Sequence, residues 1–522
     1  MNATAILLQA TLGFVALLLF YGFWSSRNKN RGEEKKKQAP KANGAWPILG
    51  HLPLLSGPDP FRILANMADE YGPVFRVQLG LQHALVVSSK EAIMQTTNDM
   101  SFMGRPNVLA LKYMGFYGGF YALAPYGPFW QEMRKVSIHE LLSNTRVELL
   151  KPVRASEMST CINELYSLCC KDGKVGSVKV AVDKWFQQVL FNMIAQVIAK
   201  KRYSSIGKDA SDKELKCLKR AYEDFFVMLV TFQKSKGIPF TRWMNFQENR
   251  VMKRTEKKFD FILSSWIADH KQRRGIQGQL KEDRDFIDIM LSLFERSDDF
   301  IHGHKTDDVI KANISGIIFA GTDANYATIT WALALVLKHR EVLKKAQEEL
   351  DLHVGQERWV EESDIKELKY LQAILKETFR LYPAGPLSIL REALEDTTVA
   401  GHYVPKGTQL LANIWKLHRD PGTWTDPDEF QPERFLTTHA GLDVKNQQYE
   451  LIPFSTGKRS CPGMATGTQM ILLTLARLLQ GFNLVTPTNE PINMTEAAGI
   501  TLHMKYSLEV VLTPRLPNKL YE

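Results

Sequence analysis

The chain has 522 residues, 44% of them hydrophobic and 24% charged, a composition that excludes intrinsic disorder and supplies apolar side chains for a large core. Its 66 Lys and Arg against 57 Asp and Glu leave a net charge of +9, which suits an anionic membrane surface or an acidic protein partner. No nucleic-acid motif accompanies the charge, so nucleic acid is not an expected partner.

Residues 3–24 carry no charge and one strongly polar side chain, Gln9, and as a helix they would span roughly 30 Å of bilayer core. This predicts a membrane anchor over residues 1–26. Arg27, Lys29, Arg31, Lys35, Lys36, Lys37 and Lys41 follow it, and the positive-inside rule places the remainder on the cytoplasmic side. The apolar run exceeds the apolar region of a cleaved signal peptide. The five cysteines, Cys161, Cys169, Cys170, Cys217 and Cys461, are odd in number and unevenly spaced, which argues for a reducing compartment. Together these imply a single-pass membrane protein with its remainder on the cytoplasmic side, in contact with membrane lipid.

Pro40, Gly44, Pro47 and Gly50 predict an extended hinge over residues 27–55, with one catalytic domain over residues 56–522. Residues 74–80 and 84–88 read as two strands of a hairpin around 80–83, and nearly everything after them reads as helix. In the segment 124–134, Pro and Gly precede a helix on which Trp130 and Arg134 stand four apart, two donors able to reach one carboxylate. Residues 308–337 form a long apolar helix expected to cross the domain centre. There Ala320 and Gly321 would let a flat cofactor approach, and Asp323 needs a partner or a purpose: a buried ion pair and proton delivery both remain open. Glu377 and Arg380 stand at i,i+3 on a further helix.

The segment Phe454-Ser455-Thr456-Gly457-Lys458-Arg459-Ser460-Cys461-Pro462-Gly463 combines an aromatic, glycines, basic residues and one cysteine. Glycines let backbone N–H groups approach a thiolate, and an aromatic ring screens it. The pattern resembles the cytochrome P-450 signature Phe-x-x-Gly-x-Arg-x-Cys-x-Gly at every fixed position. The resemblance implies a mainly α fold with small β-sheets, a helical haem domain with a minor β-rich region behind an N-terminal transmembrane helix. It implies haem b (iron protoporphyrin IX) with Cys461 as its metal ligand, Phe454 beside the sulfur, and Trp130, Arg134, Arg391 and Arg459 on the propionates. Asp323 becomes the proton route. Glu377, Arg380 and Arg434, the last within Phe430-Gln431-Pro432-Glu433-Arg434-Phe435, become a buried structural triad. Electrons would come from NADPH through NADPH–cytochrome P-450 reductase, and O2 and a small hydrophobic substrate would be the other partners.

The chain departs from the pattern after Asp323, where Ala324 and Asn325 replace the usual threonine. A substrate hydroxyl, the Asn325 amide or an ordered water would then supply the missing hydrogen bond, or the enzyme is a haem-thiolate isomerase or lyase working without reductase. The stretches at 362–365, 370–374 and 413–421 resemble plant microsomal A-type enzymes, most closely family 82, which oxidise alkaloids, phenylpropanoids, flavonoids and terpenoids by hydroxylation, demethylation or oxidative cleavage. Substrate contacts are expected from residues 102–123, 225–232, 312–325, 384–389 and 499–502, with Phe116, Phe120 and Phe319 among the aromatics.

Overall fold

The computed structural model describes residues 37–106, 119–171, 174–203, 246–277, 284–294, 300–445, 448–488, 490–497 and 499–521, together with Gly13, Glu214 and Leu218. Cys217, Phe116, residues 225–232 and, Gly13 excepted, the expected anchor lie outside these. Among the described residues no helix is long and apolar enough to cross a membrane.

The helices that position the site are α1 (Pro60–Tyr71), α2 (Lys90–Asn98), α3 (Pro128–Ser137), α4 (Lys151–Cys169), α5 (Val182–Ala199), α6 (Phe246–Gln277), α7 (Phe286–Leu293), α8 (Thr306–Lys338), α9 (Arg340–His353), α10 (Lys369–Leu381) and α11 (Met464–Gly481). The strands that position the site are β1 (Val74–Leu79), β2 (Gln82–Val87), β3 (Val178–Ala181), β4 (Arg391–Glu392), β5 (Gln409–Ala412), β6 (Phe482–Val485), β7 (Glu496–Ala497), β8 (His503–Met504) and β9 (Glu509–Pro514).

The expected hairpin is present, with β1 and β2 antiparallel from Val74↔Val87 to Leu79↔Gln82. Gly80 takes φ +65° in the turn, where a glycine costs least. β5 then joins β2 in parallel and β4 closes the sheet, order β1-β2-β5-β4, which fixes Arg391 at its edge. A second sheet, order β6-β9-β3, was not expected from the sequence. Its strands pair across gaps of many residues, and short strands with non-local partners leave little local pattern.

Helix α8 runs through the core and is buried on nearly every side from Val309 to Leu337, as a helix apolar all round requires. Two close approaches hold it. A Cβ on Gly321 would lie 2.8 Å from Ile194 Cδ1 of α5, and one on Gly467 of α11 would lie 2.8 Å from Asn325 Oδ1. Trp331 donates its indole N–H to Leu502 O at 2.8 Å and stacks on Tyr382 with centroids 4.0 Å apart.

Behind α8, Glu377 and Arg380 on α10 meet Arg434 of the Pro432–Phe435 turn. Arg380 binds Glu377 through two nitrogens at 2.8 and 2.7 Å, and Arg434 Nε reaches Glu377 Oε1 at 3.1 Å. All three are buried, and the remaining guanidinium donors bond the carbonyls of His418, Glu429 and Thr425.

The expected hinge needs correction from Gln38 onward. Arg76 N bonds Pro40 O at 2.7 Å, Ala42 N bonds Arg76 O at 3.0 Å and His51 N bonds Gln78 O at 2.6 Å, while Ala39, Ala42 and His51 are buried. The segment covers the otherwise open edge of β1, which would expose unpaired backbone groups, and so belongs to the globule.

Candidate active site

The Cys461 loop is shaped by its backbone. Gly457 has φ +72°, and a Cβ there would stand 2.3 Å from Thr97 O at the end of α2, so only glycine fits. Cys461 N donates to Phe454 O at 2.9 Å and closes the loop. The Phe454 ring packs edge-to-face on Phe379 of α10 at 5.1 Å, tying the loop to the helix that carries the Glu377 triad. The thiol keeps an open surface, yet protein surrounds it closely enough that desolvation pushes its pKa up. The Gly463 amide and the Arg134 guanidinium pull it the other way, and both favour a thiolate once a metal displaces the proton.

Four arginines gather beside this loop. Trp130, buried on α3, has the Arg459 guanidinium 4.7 Å from its ring centroid and that of Arg134 at 5.5 Å. Arg134 Nη2 donates to Ser460 O at 2.9 Å, and Arg459 Nη2 to Met103 O and Ala124 O at 2.7 and 2.9 Å. Arg391 reaches Thr456 O at 3.4 Å. Arg105 donates to Ile389 O and Leu390 O at 3.0 and 2.6 Å.

Among the described residues these bonds all run to backbone carbonyls. Arg105 Nε, Arg391 Nη1, Arg459 Nε and Nη1, and Thr456 Oγ1 are buried with no partner among the described residues. Burial pulls the pKa of Arg391 down to about 10, and burial with the charges of Arg391 and Arg134 does the same to Arg459. Arg105 is driven well below the usual value by burial, then by Arg459 and Arg391. Buried cations are retained where an anion compensates them. A planar cofactor with two carboxylates and a metal seeking one thiolate matches this donor set.

Arg105 was not among the sequence-derived candidates. It sits between Gly104 and Pro106, a context with no ligand spacing. Only the antiparallel bridge between Gly104 and Glu392 brings it beside Arg391.

On α8, Ile317, Ala320, Gly321 and Ala324 keep surface along one stripe at i, i+3, i+4 and i+7. α11 begins just past Cys461 and meets α8 at Asn325, which brings loop and stripe together. Asn325 is buried off the stripe, its Nδ2 donating to Gly321 O at 2.7 Å and its Oδ1 against Gly467. Asp323 is buried and meets His503 Nε2 of β8 at 3.1 Å, an ion-pair partner no local pattern identified. A Cβ on Gly316 would lie 2.0 Å from the Phe120 ring, so this glycine seats Phe120 on α8. Phe319, expected among substrate contacts, is instead buried edge-to-face on Phe259 at 5.0 Å. Leu502 N donates to Ala384 O at 2.9 Å, joining two of the expected substrate segments.

A helical fold with a single cysteine in a glycine-shaped loop, ringed by uncompensated arginines and faced by a central helix, defines a haem-thiolate protein. The family model described as Cytochrome P-450 matches residues 40–510. Xanthotoxin 5-hydroxylase of Arabidopsis thaliana, a family 82 enzyme, is 42% identical over 518 residues, covering 97% of this chain and 98% of that one. Strychnine-10-hydroxylase of Strychnos nux-vomica is 43% identical over 520 residues, 98% of each chain. Flavonoid-6-hydroxylase of Mentha piperita is 43% identical over 519 residues, again 98% of each. A solved zebra fish cytochrome P-450 with abiraterone superimposes with a TM-score of 0.71 at 25% identity, covering 88% of this chain and 100% of that one. The chain belongs to the cytochrome P-450 family, beside the plant family 82 enzymes, and is a haem-dependent monooxygenase.

The arginine cluster carries a prediction of opposite signs. If the unpartnered Nη1 of Arg391 holds a propionate, Arg391→Ala removes a charge-assisted bond worth about 1.5 to 3 kcal/mol. Transfer of haem to apomyoglobin is expected to quicken by about tenfold or more, since 1.4 kcal/mol is a factor of ten. The haem-free protein should lose no stability, because it sheds one of several mutually repelling buried cations. Unchanged haem transfer would remove Arg391 from the propionate set.

Proposed function

We propose that this enzyme hydroxylates a hydrophobic plant specialised metabolite with O2 and electrons from NADPH, delivered by NADPH–cytochrome P-450 reductase. We place it in the endoplasmic reticulum membrane, anchored by residues 1–26 with its catalytic domain in the cytoplasm. The relatives support the substrate class: they are named for hydroxylating xanthotoxin, strychnine and flavonoids.

When bound, haem supplies the activation of dioxygen, with electron density donated by its thiolate ligand. The residues of this chain do the rest. Cys461 provides that ligand, held by the loop closure at Phe454 and balanced by the Gly463 amide and Arg134. Arg105, Arg134, Arg391, Arg459 and Trp130 fix the cofactor's acidic edge and its orientation. The Ile317–Ala320–Gly321–Ala324 stripe presents small apolar groups, and Phe120, seated on Gly316, adds an aromatic wall that suits an apolar ligand.

Asp323 takes up and passes on a proton beside the stripe, and the placement of this buried carboxyl is the observation that carries the reading, since rearrangement without reductase needs no such group. The Ala324 methyl offers no hydrogen bond, and Asn325 is turned toward α11 and bonded back to its own helix. The role of the usual threonine hydroxyl therefore falls to the substrate or an ordered water.

The test is reconstitution with NADPH and reductase against xanthotoxin, a flavonoid and an alkaloid panel. A substrate-dependent spectral shift without NADPH, and a product one oxygen heavier that forms only with NADPH and reductase, are expected. Product formed equally well without NADPH and reductase would replace this reading with an isomerase or lyase.

A further inference from the structure

Asp323 has a specific partner whose chemistry the family signature does not call for. His503 reaches it from β8 near the C-terminus, with Nε2 3.1 Å from Asp323 Oδ1. The imidazole straddles two environments. About a quarter of its side chain is exposed, while its Nδ1 is buried and makes no hydrogen bond among the described residues.

Its position is fixed from several sides. Leu502, the preceding residue, accepts the buried Trp331 indole N–H at 2.8 Å. β8 pairs with β7 at Ala497↔His503, and the adjacent Glu496 is tied to Arg62 on α1 at 2.8 Å. The Tyr326 ring of α8 lies 5.4 Å from the imidazole. An arginine or lysine in this place would clamp Asp323 with a permanent charge. Imidazole is the side chain that both holds and releases a proton between about pH 5 and 8.

We propose that His503 is the positioning residue that keeps Asp323 supplied with protons. Nε2–H passes its proton to Oδ1 of the carboxylate, leaving a neutral ring with its proton on Nδ1, and Nε2 regains a proton from water. Each cycle moves one proton and forms no other bond. The electrons and oxygen are those of the monooxygenase reaction, which consumes two protons in making water. The inference rests on Asp323 being the proton holder of the proposed function.

Delivery needs a protonated imidazole, so turnover falls as pH rises over the enzyme's working range. The other titratable or charged side chains on the elements around His503 are Asp323 and Tyr326 on α8, Glu496 on β7 with its partner Arg62, and Lys505 just beyond β8. Asp183, at the start of α5, helps to hold the Tyr326 hydroxyl protonated, after burial. Tyr326 therefore stays neutral across that range.

The experiment uses the full-length holoenzyme with reductase, and NADPH and dioxygen as probes. His503→Gln keeps a hydrogen-bond donor for Asp323 but does not titrate. It is expected to keep the reduced carbon monoxide band, slow NADPH-driven oxygen consumption about tenfold, raise the solvent deuterium isotope effect and flatten the pH profile; tenfold is below the usual range for a direct acid–base group. A second readout is independent of turnover. In thermal unfolding, His503→Ala and Asp323→Asn should combine non-additively, with the coupling weakening as pH rises and the imidazole loses its charge.

Unchanged rate, isotope effect and pH profile in both His503 variants, or additive unfolding effects, overturn the proposal. If Asp323→Asn slows oxygen consumption while the His503 variants do not, only the role of His503 falls. If Asp323→Asn is itself without effect, the proton-holder reading fails with it.

Discussion

Cys461→Ser is expected to lose the red-shifted band of the reduced carbon monoxide complex together with all turnover. A serine hydroxyl stays neutral at the pH where the enzyme works and cannot replace the thiolate donor. The loop would survive the change, because the Cys461 N–H bond to Phe454 O and the Gly457 turn are made by backbone. Loss should therefore be chemical and not a failure to fold, which circular dichroism can show. The same site predicts a pH dependence with a definite sign. Burial raises the Cys461 pKa, so binding a metal must displace a proton, and haem is held more weakly as pH falls. Cys161 and Cys169 provide the contrast. Both are buried thiols with pKa values raised by desolvation, and their replacement by alanine should leave the haem spectrum intact. A Cys461→Ser protein that kept the shifted band would refute the ligand assignment.

Glu377→Ala is expected to be the most destabilising single change on α10. It deletes the carboxylate shared by Arg380 and Arg434 and leaves two buried guanidiniums without a counter-charge. Removing one partner of a buried pair costs about 3 to 5 kcal/mol, against a total stability of about 5 to 15 kcal/mol for an ordinary protein. The damage should extend beyond the triad. Arg380 also holds the carbonyls of His418 and Glu429, and His418 Nε2 accepts the Ile452 amide at 2.9 Å, so the segment leading to the Cys461 loop loses its register. His418 lies in the same buried region with its pKa pulled down to about 3, chiefly by desolvation and then by Arg380, and it remains neutral at any working pH. Expected observations are a poor yield of haem-loaded protein and a urea midpoint shifted far downward, with Glu377→Asp intermediate. A midpoint shift worth less than about 1 kcal/mol would show that the carbonyl acceptors alone compensate both arginines.

Motifs that are contiguous, or repeated at a helical period, were legible. The Cys461 loop, the Trp130–Arg134 spacing, the apolar run that became α8 and the Glu377–Arg380 pair each lie within one element, where 3.6 residues per turn converts sequence spacing into geometry. The first hairpin was legible for the same reason, its strands being separated by a two-residue turn.

What required folding were the encounters between elements. Arg105 joins the cation cluster only because Gly104 bridges Glu392, and Asp323 acquires His503 only because a C-terminal hairpin packs on α8. The sheet β6-β9-β3 and the docking of residues 38–51 along β1 are likewise pairings between distant segments. The amino-acid order determined by itself the candidate ligand loop, the helical framework and the missing threonine at Ala324, because each depends on side-chain chemistry or local period. Tertiary structure decided that Asn325 turns to Gly467, that Phe319 is core while Phe120 is wall, and which groups surround Asp323. The facing of a side chain depends on what packs against its helix, and that is set by contacts no local pattern encodes.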